Sequence, residues 1–252
     1  MRSGIWPPLL LGAGIIAAWE IYVRVGRIDP LLLPPPSAVA LYLIGNIQIM
    51  LSNGGATLSE LLIGFAGGVM IGLSLGMLMQ IWRWFREAAY PWLVATQMVP
   101  IPAVAPILVL WFGFTIVPKA ATVALMSFFP VAVSTVDGLS SVNPELIRLL
   151  RTFGARPWKV MTMAALPSAL PRIFSGLRVA MALSVVGAVV GEWVGSTRGL
   201  GFLMLHYENR GETAGLFATV TVLAIMGIIL FFLVGWVENW AISWRRYAKE
   251  TL

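Results

Sequence analysis

Six long apolar stretches constrain this chain more than any other feature of its sequence. They run from about Pro8 to Val23, Thr57 to Gln80, Ala88 to Phe112, Val117 to Val136, Ser168 to Gly195 and Ala214 to Val237. A helix is the only open-chain structure that satisfies its own backbone hydrogen bonds in hydrocarbon, and about 20 residues cross a bilayer. The pattern therefore predicts an all-α, polytopic membrane bundle with six transmembrane helices.

The composition excludes several classes of protein. Of 252 residues, 59% are hydrophobic and 11% are charged, whereas a soluble domain carries about 25% charged residues. The chain has no Cys and a single His, His206, which excludes disulfides, thiol catalysis and a His-rich metal site. Its carboxylates are scattered, so the sequence predicts no catalytic cluster and argues against a membrane-embedded enzyme.

We predict a single transmembrane domain over residues 1–252. Residues 1–56 hold the first span and an external interfacial segment, residues 57–237 form a five-helix core, and residues 238–252 form a cytoplasmic tail. The segment 38–51 is apolar but short, and it contains Gly45 and Asn46. A segment of that length is typical of the membrane interface, although its length alone leaves a further crossing open.

Basic residues indicate the orientation, because Lys and Arg accumulate in cytoplasmic loops. Six spans with the N-terminus inside place eleven basic residues in the cytoplasm, including Arg2 and the tail residues Arg245, Arg246 and Lys249. Five lie outside, and Lys119 is one of them. The predicted N- and C-termini are therefore cytoplasmic. The net charge of +6 is interpreted as a topology signal, and we expect no nucleic-acid partner.

Glycines recur every four residues in two of the spans. Such a stripe lies on one helix face and lets another backbone approach closely, which promotes helix association in lipid. We predict helix packing through these residues: Gly64, Gly68, Gly72, Gly76, Gly187, Gly191 and Gly195.

The third span is interrupted by prolines, which remove backbone donors and free carbonyl groups. Such a region is buried in protein or lines an aqueous path. Glu192 is interpreted as the one acidic residue set deep in an apolar stretch. It is either a functional carboxylate or a residue that reaches the nearby interface, and the sequence leaves both open. The candidates for the translocation path are Gln97, Met98, Pro100, Pro102, Glu192 and Trp193.

The loop between the fourth and fifth spans predicts two short helices. Asn143 can cap the first, which begins with Pro144 and Glu145 and runs to about Phe153. Gly154 ends it, and a second helix follows through Trp158. We expect the chain to break before the fifth span at Leu166, Pro167, Leu170 and Pro171. The basic, amphipathic loop is typical either of a docking surface for a cytoplasmic partner or of a segment bound to anionic lipid headgroups.

The same loop resembles a family signature. Gly154, nine residues, Ala164, one residue, Leu166 and Pro167 resemble E-A-A-x3-G-x9-I-x-L-P of the binding-protein-dependent ABC importer permeases. Blocks at 32–39, 99–113, 166–178 and 191–203 are similar to the nitrate, sulfonate and taurine branch of that family. The resemblance covers nearly the whole chain after the first span.

In that family the loop inserts into a groove on the ATPase subunit, and we call residues 143–167 the coupling loop. The resemblance assigns ATPase coupling to Glu145, Arg148, Leu149, Leu150, Arg151, Gly154, Ala155, Trp158, Leu166 and Pro167. The sequence departs from the signature where Arg148, Leu149 and Leu150 replace E-A-A. This charge reversal removes the acidic group that the family uses, and Glu145 offers one a turn earlier.

The resemblance also implies an assembly in the bacterial inner membrane. Two permease copies in a homodimer would enclose the path, two ABC ATPase subunits would grip the coupling loops, and a periplasmic or lipid-anchored solute-binding protein would deliver the solute. The expected cargo is a small organic anion such as a sulfonate, a nitrate-like anion or a vitamin-precursor heterocycle. Besides these proteins, the expected partner is membrane lipid.

No cofactor is expected on this chain. None of its three lysines follows glycine in the phosphate-binding G-x4-G-K-[ST] pattern, so ATP and Mg belong to the partner ATPase and the chain itself is not an enzyme. The alternative function is a secondary transporter or channel that ATP does not drive. That class needs ionisable groups near the membrane midplane, where only Glu192 is a candidate.

Overall fold

The computed structural model describes residues 6–242, and within that range it contains helices and no strand. The helices are α1 (Trp6–Val25), α2 (Pro36–Gly45), α3 (Ile47–Ile81), α4 (Arg83–Ala95), α5 (Ile101–Phe112), α6 (Ile116–Ser140), α7 (Pro144–Thr152), α8 (Pro157–Val160), α9 (Leu166–Gly195), α10 (Leu200–Arg210) and α11 (Thr213–Ala241). The predicted all-α membrane bundle is confirmed. Arg2 and the tail residues 243–252, which we placed in the cytoplasm, lie outside the described residues.

The predicted third span is not one helix. Five described helical segments are long and apolar enough to cross a membrane, namely α1, α3, the segment Pro157–Gly195, α6 and α11. In place of the remaining span, Arg83–Met98 and Ile101–Phe112 meet at an angle of 95°. The break falls at Val99 and Pro100, because proline provides no backbone donor to continue the first helix.

The chain divides into two compact units, whose boundaries fall inside α3, between α9 and α10, and inside α11. One comprises Met1–Thr57 and Thr197–Ile225, and the other Leu58–Ser196 and Met226–Leu252. The predicted interfacial segment 38–51 is not one element, because α2 ends at Gly45 and residues from Ile47 already belong to α3. The second span is thus longer than predicted and begins ten residues before Thr57.

In the first unit, polar and aromatic contacts connect α2 with α10 and the start of α11. The Tyr42 hydroxyl donates a hydrogen bond to Glu212 (2.8 Å), and its ring meets that of Tyr207 edge-on. Thr213 donates to the carbonyl of Leu31 (2.7 Å). These contacts fix the segment that follows α1 although α2 is too short to cross a bilayer.

In the second unit, α3 packs on α6 through its glycine stripe. A Cβ atom added at Gly72 would lie 2.6 Å from the carbonyl oxygen of Phe128, and one at Gly76 would lie 2.9 Å from that of Ala132. Both separations are shorter than van der Waals contact, so only glycine allows this approach. Successive glycines along α3 contact successively later residues of α6, so the two helices are parallel.

A second face of α6, which shares Val123 with the first, receives α9. A Cβ atom at Gly187 would lie 3.0 Å from Cα of Val123, and one at Gly191 would lie 3.1 Å from Cα of Lys119. Later residues of α9 contact earlier residues of α6, so α9 runs antiparallel to α6. Gly195 continues the stripe and approaches Val109 on α5.

The parallel course of α3 and α6 has a consequence for the topology. Two consecutive spanning helices run parallel only if the chain between them returns to the side on which the first one began. The bent pair Arg83–Phe112 must therefore cross the membrane, because a re-entrant loop would leave α6 antiparallel to α3. Counted with this broken span, the described helices are consistent with the six predicted spans.

Candidate functional site

The coupling loop begins with a well-capped helix. The Asn143 side chain accepts a hydrogen bond from the backbone N–H of Glu145 (2.8 Å), and Pro144 occupies the first turn, where its missing donor costs nothing. At the other end, Gly154 N–H donates to the carbonyl of Arg151 (2.9 Å) and Ala155 N–H to that of Leu150 (3.0 Å). This is the Schellman arrangement of a helix end.

Gly154 is required by the turn rather than by space. Its φ of 77° lies in the left-handed region, which costs residues with a Cβ about 1–2 kcal/mol. An added Cβ would nevertheless meet nothing within 4 Å. The residue thus sets the direction in which α8 leaves α7.

One face of the loop packs on the bundle. Ile147 of α7 and Met161, which follows α8, contact a buried cluster of residues from the end of α6 and the start of α9. The cluster comprises Leu139, Val142, Ala165, Ala169 and Ile173. A force applied to the loop is therefore transmitted directly to both helices.

The other face is apolar, basic and open. Leu149 is 53% exposed, Phe153 80% and Trp158 75%, and Arg148 and Arg151 are exposed beside them. Glu145 is exposed as well and lies in the first turn of α7. Large exposed apolar side chains flanked by charges are typical of an interaction surface.

The predicted chain break before the fifth span is wrong. A π-helical turn, Met161–Ala165, joins α8 to α9, and α9 begins at Leu166. Pro167 is accommodated in the first turn of α9 and Pro171 lies inside it. Pro167 lies at the start of the helix instead of ending a loop, because the first turn needs no backbone donor at that position. Ala164, at the isoleucine position of the signature, is buried.

Four of the predicted path residues lie at the bend of the third span. Gln97 and Met98 belong to a short 3₁₀ turn, Thr96–Met98, after which Pro100 caps α5 and Pro102 lies in its first turn. Met98 is 75% exposed. The Thr96 hydroxyl donates to the carbonyl of Leu93 (2.7 Å), which satisfies one backbone group near the break.

Glu192 and Trp193 lie elsewhere, near the end of α9. Glu192 is 1% exposed, so its side chain is enclosed by the protein. Its side chain interacts with that of Glu60 on α3. Trp193, the next residue, is exposed.

A buried ion pair that the sequence analysis missed lies beside Glu192. Lys119 on α6 donates to Glu60 (2.5 Å) and to the hydroxyl of Ser196 (3.0 Å). Both charged side chains are buried. Lys119, which we predicted on the outer side of the membrane, lies in the first turn of α6, which begins at Ile116. Our interpretation of Glu192 as the one acidic residue deep in an apolar stretch is wrong, because Glu60 lies within α3.

The four-residue spacing of the glycine stripe on α3 could have indicated this ion pair. Glu60 precedes Gly64 by four residues, and Lys119 precedes Val123, which packs at Gly64, by four as well. The two charges therefore extend the two stripes that face each other between α3 and α6. They meet because parallel helices in this register bring 60 opposite 119.

Comparison with known proteins agrees with this geometry. The model of the family described as binding-protein-dependent transport system inner membrane component matches residues 68–243. The chain belongs to this family of ABC importer permeases. It is 37% identical to the formylaminopyrimidine transport permease protein of Halalkalibacterium halodurans, over 95% of this chain and 96% of that one.

Two other relatives are named for different substrates. The permease is 30% identical to the putative aliphatic sulfonates transport permease protein of Bacillus subtilis, over 97% of this chain and 89% of that one. It is also 30% identical to the taurine transport system permease protein of Escherichia coli, over 88% and 82%. The relatives thus support the predicted family and do not determine the solute.

Solved structures share the fold. An inward-facing MetNI methionine ABC transporter matches with a TM-score of 0.59 at 20% identity, covering 74% of this chain and 91% of that one. An amino acid ABC transporter solved with histidines matches with a TM-score of 0.62 at 16% identity, covering 81% and 97%. At these identities the likeness concerns the fold alone.

Proposed function

We propose that this permease forms the translocation path of an ATP-driven importer, and that its coupling loop receives the mechanical work of a separate ATPase. The observation that carries the proposal is the two-sided loop. One face packs through Ile147 and Met161 on α6 and α9, and the other presents Leu149, Phe153 and Trp158. A lever needs both a rigid attachment and an exposed contact surface.

The exposed face favours a protein over lipid headgroups as the loop's main partner. Headgroup binding requires basic residues, whereas Phe153 and Trp158 offer large flat apolar groups of the kind that dominate protein interfaces. Arg148 stands where the family signature has glutamate, so the groove of this ATPase should carry an acidic group at that point. Glu145 is the acidic residue available for a basic group of the ATPase.

The assembly that follows has two permease copies, two ATPase subunits and an external solute-binding protein. ATP-driven closure of the ATPase pair would bring the two coupling loops together and tilt α6 and α9 of each copy. ATP and Mg would be held by the ATPase, with hydrolysis on that subunit. The bend at Gln97 and Met98 would line the path between the copies. The assembly would reside in the bacterial inner membrane with both termini of the permease cytoplasmic.

The proposed cargo is a small organic anion or a vitamin-precursor heterocycle. Relatives named for formylaminopyrimidine and aliphatic sulfonates align with 95% and 97% of the chain, and both classes of solute are small and polar. The solute-binding protein would set most of the specificity.

The proposal is tested by purifying the tagged permease after expression with its candidate ATPase and solute-binding protein. We expect the ATPase to co-purify, and solute uptake into vesicles to require ATP and to stop with a non-hydrolysable analogue. Uptake driven by an ion gradient without ATP would contradict the proposal and favour a secondary transporter.

A further inference from the structure

A cavity of about 540 Å³ that is open to the surface lies where α6 ends and α9 begins, beside the coupling loop, and most of the side chains that line it are exposed. Its lining residues are Ser134, Asp137, Ser140, Ser141, Arg172 and Ser175. Four hydroxyl groups, one carboxylate and one guanidinium are an unusual concentration of polar groups in a chain with 11% charged residues. The volume falls in the range of small-molecule sites, about 300–1,000 Å³.

In the described part of the chain, the two charged side chains of this cavity form no ion pair with each other. Arg172 donates one hydrogen bond, from Nη1 to the backbone carbonyl of Asp137 (3.0 Å). A guanidinium has about five N–H donors, so most of those of Arg172 have no partner among the described residues. The Asp137 carboxylate accepts no hydrogen bond from the described part of the chain. The cavity thus offers a separate positive and a separate negative group.

The serines are set up mainly as acceptors. Ser141 donates its proton to the carbonyl of Gly138 (2.8 Å) and Ser175 to that of Pro171 (3.0 Å). Ser140 donates to the side chain of Gln80 (3.1 Å). The Ser140 oxygen also accepts a hydrogen bond from Nη1 of Arg86 (3.4 Å). The oxygens of Ser141 and Ser175 keep lone pairs for an incoming N–H group, so acceptors lie near Asp137 as well as on it.

The walls of the cavity are held rigidly. A Cβ added at Gly138 would lie 3.0 Å from the carbonyl oxygen of Ala169, and one at Gly176 would lie 2.8 Å from that of Pro130. These close approaches lock α6 and α9 together above and below the polar residues. A site on packed helices holds its groups in place better than one on a loop.

We propose that this cavity binds a small zwitterionic solute, with its carboxylate, sulfonate or phosphate on Arg172 and its ammonium or ring N–H group on Asp137 and the serine hydroxyls. In the importer of the proposed function, on which this inference rests, the cavity would be the last binding site before the solute is released into the cytoplasm. The cavity lies next to the coupling loop that would contact the ATPase, since three residues separate Ser140 from Pro144 at the start of α7. Movement of the loop would move the cavity together with α6 and α9.

The test uses the purified full-length permease in nanodiscs of phosphatidylglycerol, without ATPase, with taurine as the zwitterionic probe. Saturation-transfer NMR should show saturable binding of taurine. Arg172→Gln and Asp137→Asn should each weaken that binding at least about tenfold, the equivalent of one lost charged hydrogen bond. Arg172→Lys, which keeps the charge, should retain more affinity than Arg172→Gln. Arg83→Gln, a change at an exposed arginine paired with Glu87, should leave affinity unchanged.

Two matched ligands check the chemistry. Isethionate, which keeps the sulfonate and lacks the ammonium, and ethanolamine, which keeps the ammonium and lacks the acid, should each bind at least about tenfold more weakly than taurine. No saturable binding of taurine, or binding that neither Arg172→Gln nor Asp137→Asn reduces, would overturn the proposal.

A lipid headgroup could supply the same chemistry, because phosphatidylethanolamine carries an ammonium and a phosphate. Adding phosphatidylethanolamine to the nanodiscs should leave the taurine affinity unchanged. Loss of taurine binding in that lipid would assign the cavity to a headgroup and overturn the solute assignment. Because no ATPase is present, failure of this test is separate from failure of the ATPase to co-purify.

Discussion

Lys119 on α6 and Glu60 on α3 form a buried ion pair, with 2.5 Å between Nζ and Oε1. The pair lies at one end of the glycine stripe on α3, four residues before Gly64. Helices in lipid associate through close packing and interhelical hydrogen bonds. This contact therefore adds a strong polar interaction to an interface that is otherwise held by small residues.

We predict that Lys119→Met destabilises the permease by about 3–5 kcal/mol, because it leaves Glu60 as a buried charge without its cation. The double variant Glu60→Gln with Lys119→Met should recover much of that loss, since no buried charge is left behind. Thermal unfolding in detergent measures both. Arg83→Gln breaks an exposed pair with Glu87 and should change the unfolding temperature little. Equal stability of Lys119→Met and wild type would contradict a structural role for the pair.

The close contact of α3 with α6 predicts the effect of enlarging Gly72. Gly72→Val places side-chain atoms where the backbone of Phe128 lies, so the helices must separate, at a cost of about 1–3 kcal/mol. The control is Gly12→Val on α1, where an added Cβ meets nothing within 4 Å. We expect the unfolding temperature to fall for Gly72→Val only. Equal effects of the two variants would show that the stripe does not set the packing.

The turn at Gly154 predicts a specific loss of ATPase binding. Gly154→Ala places a Cβ on a residue with φ of 77° and should redirect α8, which weakens co-purification of the ATPase while membrane insertion stays normal. Gly154→Arg should abolish that association. Gly113→Ala is a matched control, since Gly113 also has positive φ and an open surrounding. An equal loss of ATPase binding in the two alanine variants would attribute the loss to backbone strain in general and would contradict a specific role of the turn at Gly154.

The bend of the third span predicts a transport phenotype at Gln97. Gln97→Leu removes a polar side chain at the break and should change uptake kinetics more than the amount of assembled complex. Gln48→Leu, at an exposed position near the start of α3, provides the matched control and should leave both quantities unchanged. Uptake by Gln97→Leu identical to wild type would remove this residue from the path.

The sequence predicted the elements whose causes are local. Hydropathy located the long helices, and the combination of Asn143, Pro144 and Gly154 predicted α7 with its cap, its start and its end. The family signature located the coupling loop. These features depend on residues within one or two helical turns of each other, and reading along the chain is sufficient for them.

The features that sequence analysis missed depend on pairs of helices. Lys119 was interpreted only as a basic residue on the outer side, and Glu60 was not among the candidate residues. Only the register of α3 against α6 brings the two together. Pro167 was interpreted as a helix breaker, whereas the π turn before it makes it part of the first turn of α9. The cavity around Arg172 likewise needs α6 and α9 side by side.

The most direct test of the account is crosslinking from the tip of the coupling loop. The chain has no cysteine, so Phe153→Cys introduces a single thiol, and Leu32→Cys, exposed in the segment between α1 and α2, serves as the control for the opposite side of the membrane. In right-side-out vesicles of the assembled transporter, we predict that Phe153→Cys crosslinks to the ATPase and is protected from an impermeant thiol reagent, whereas Leu32→Cys reacts with that reagent. Labelling of Phe153→Cys from the outside, with no crosslink to the ATPase, would contradict the account.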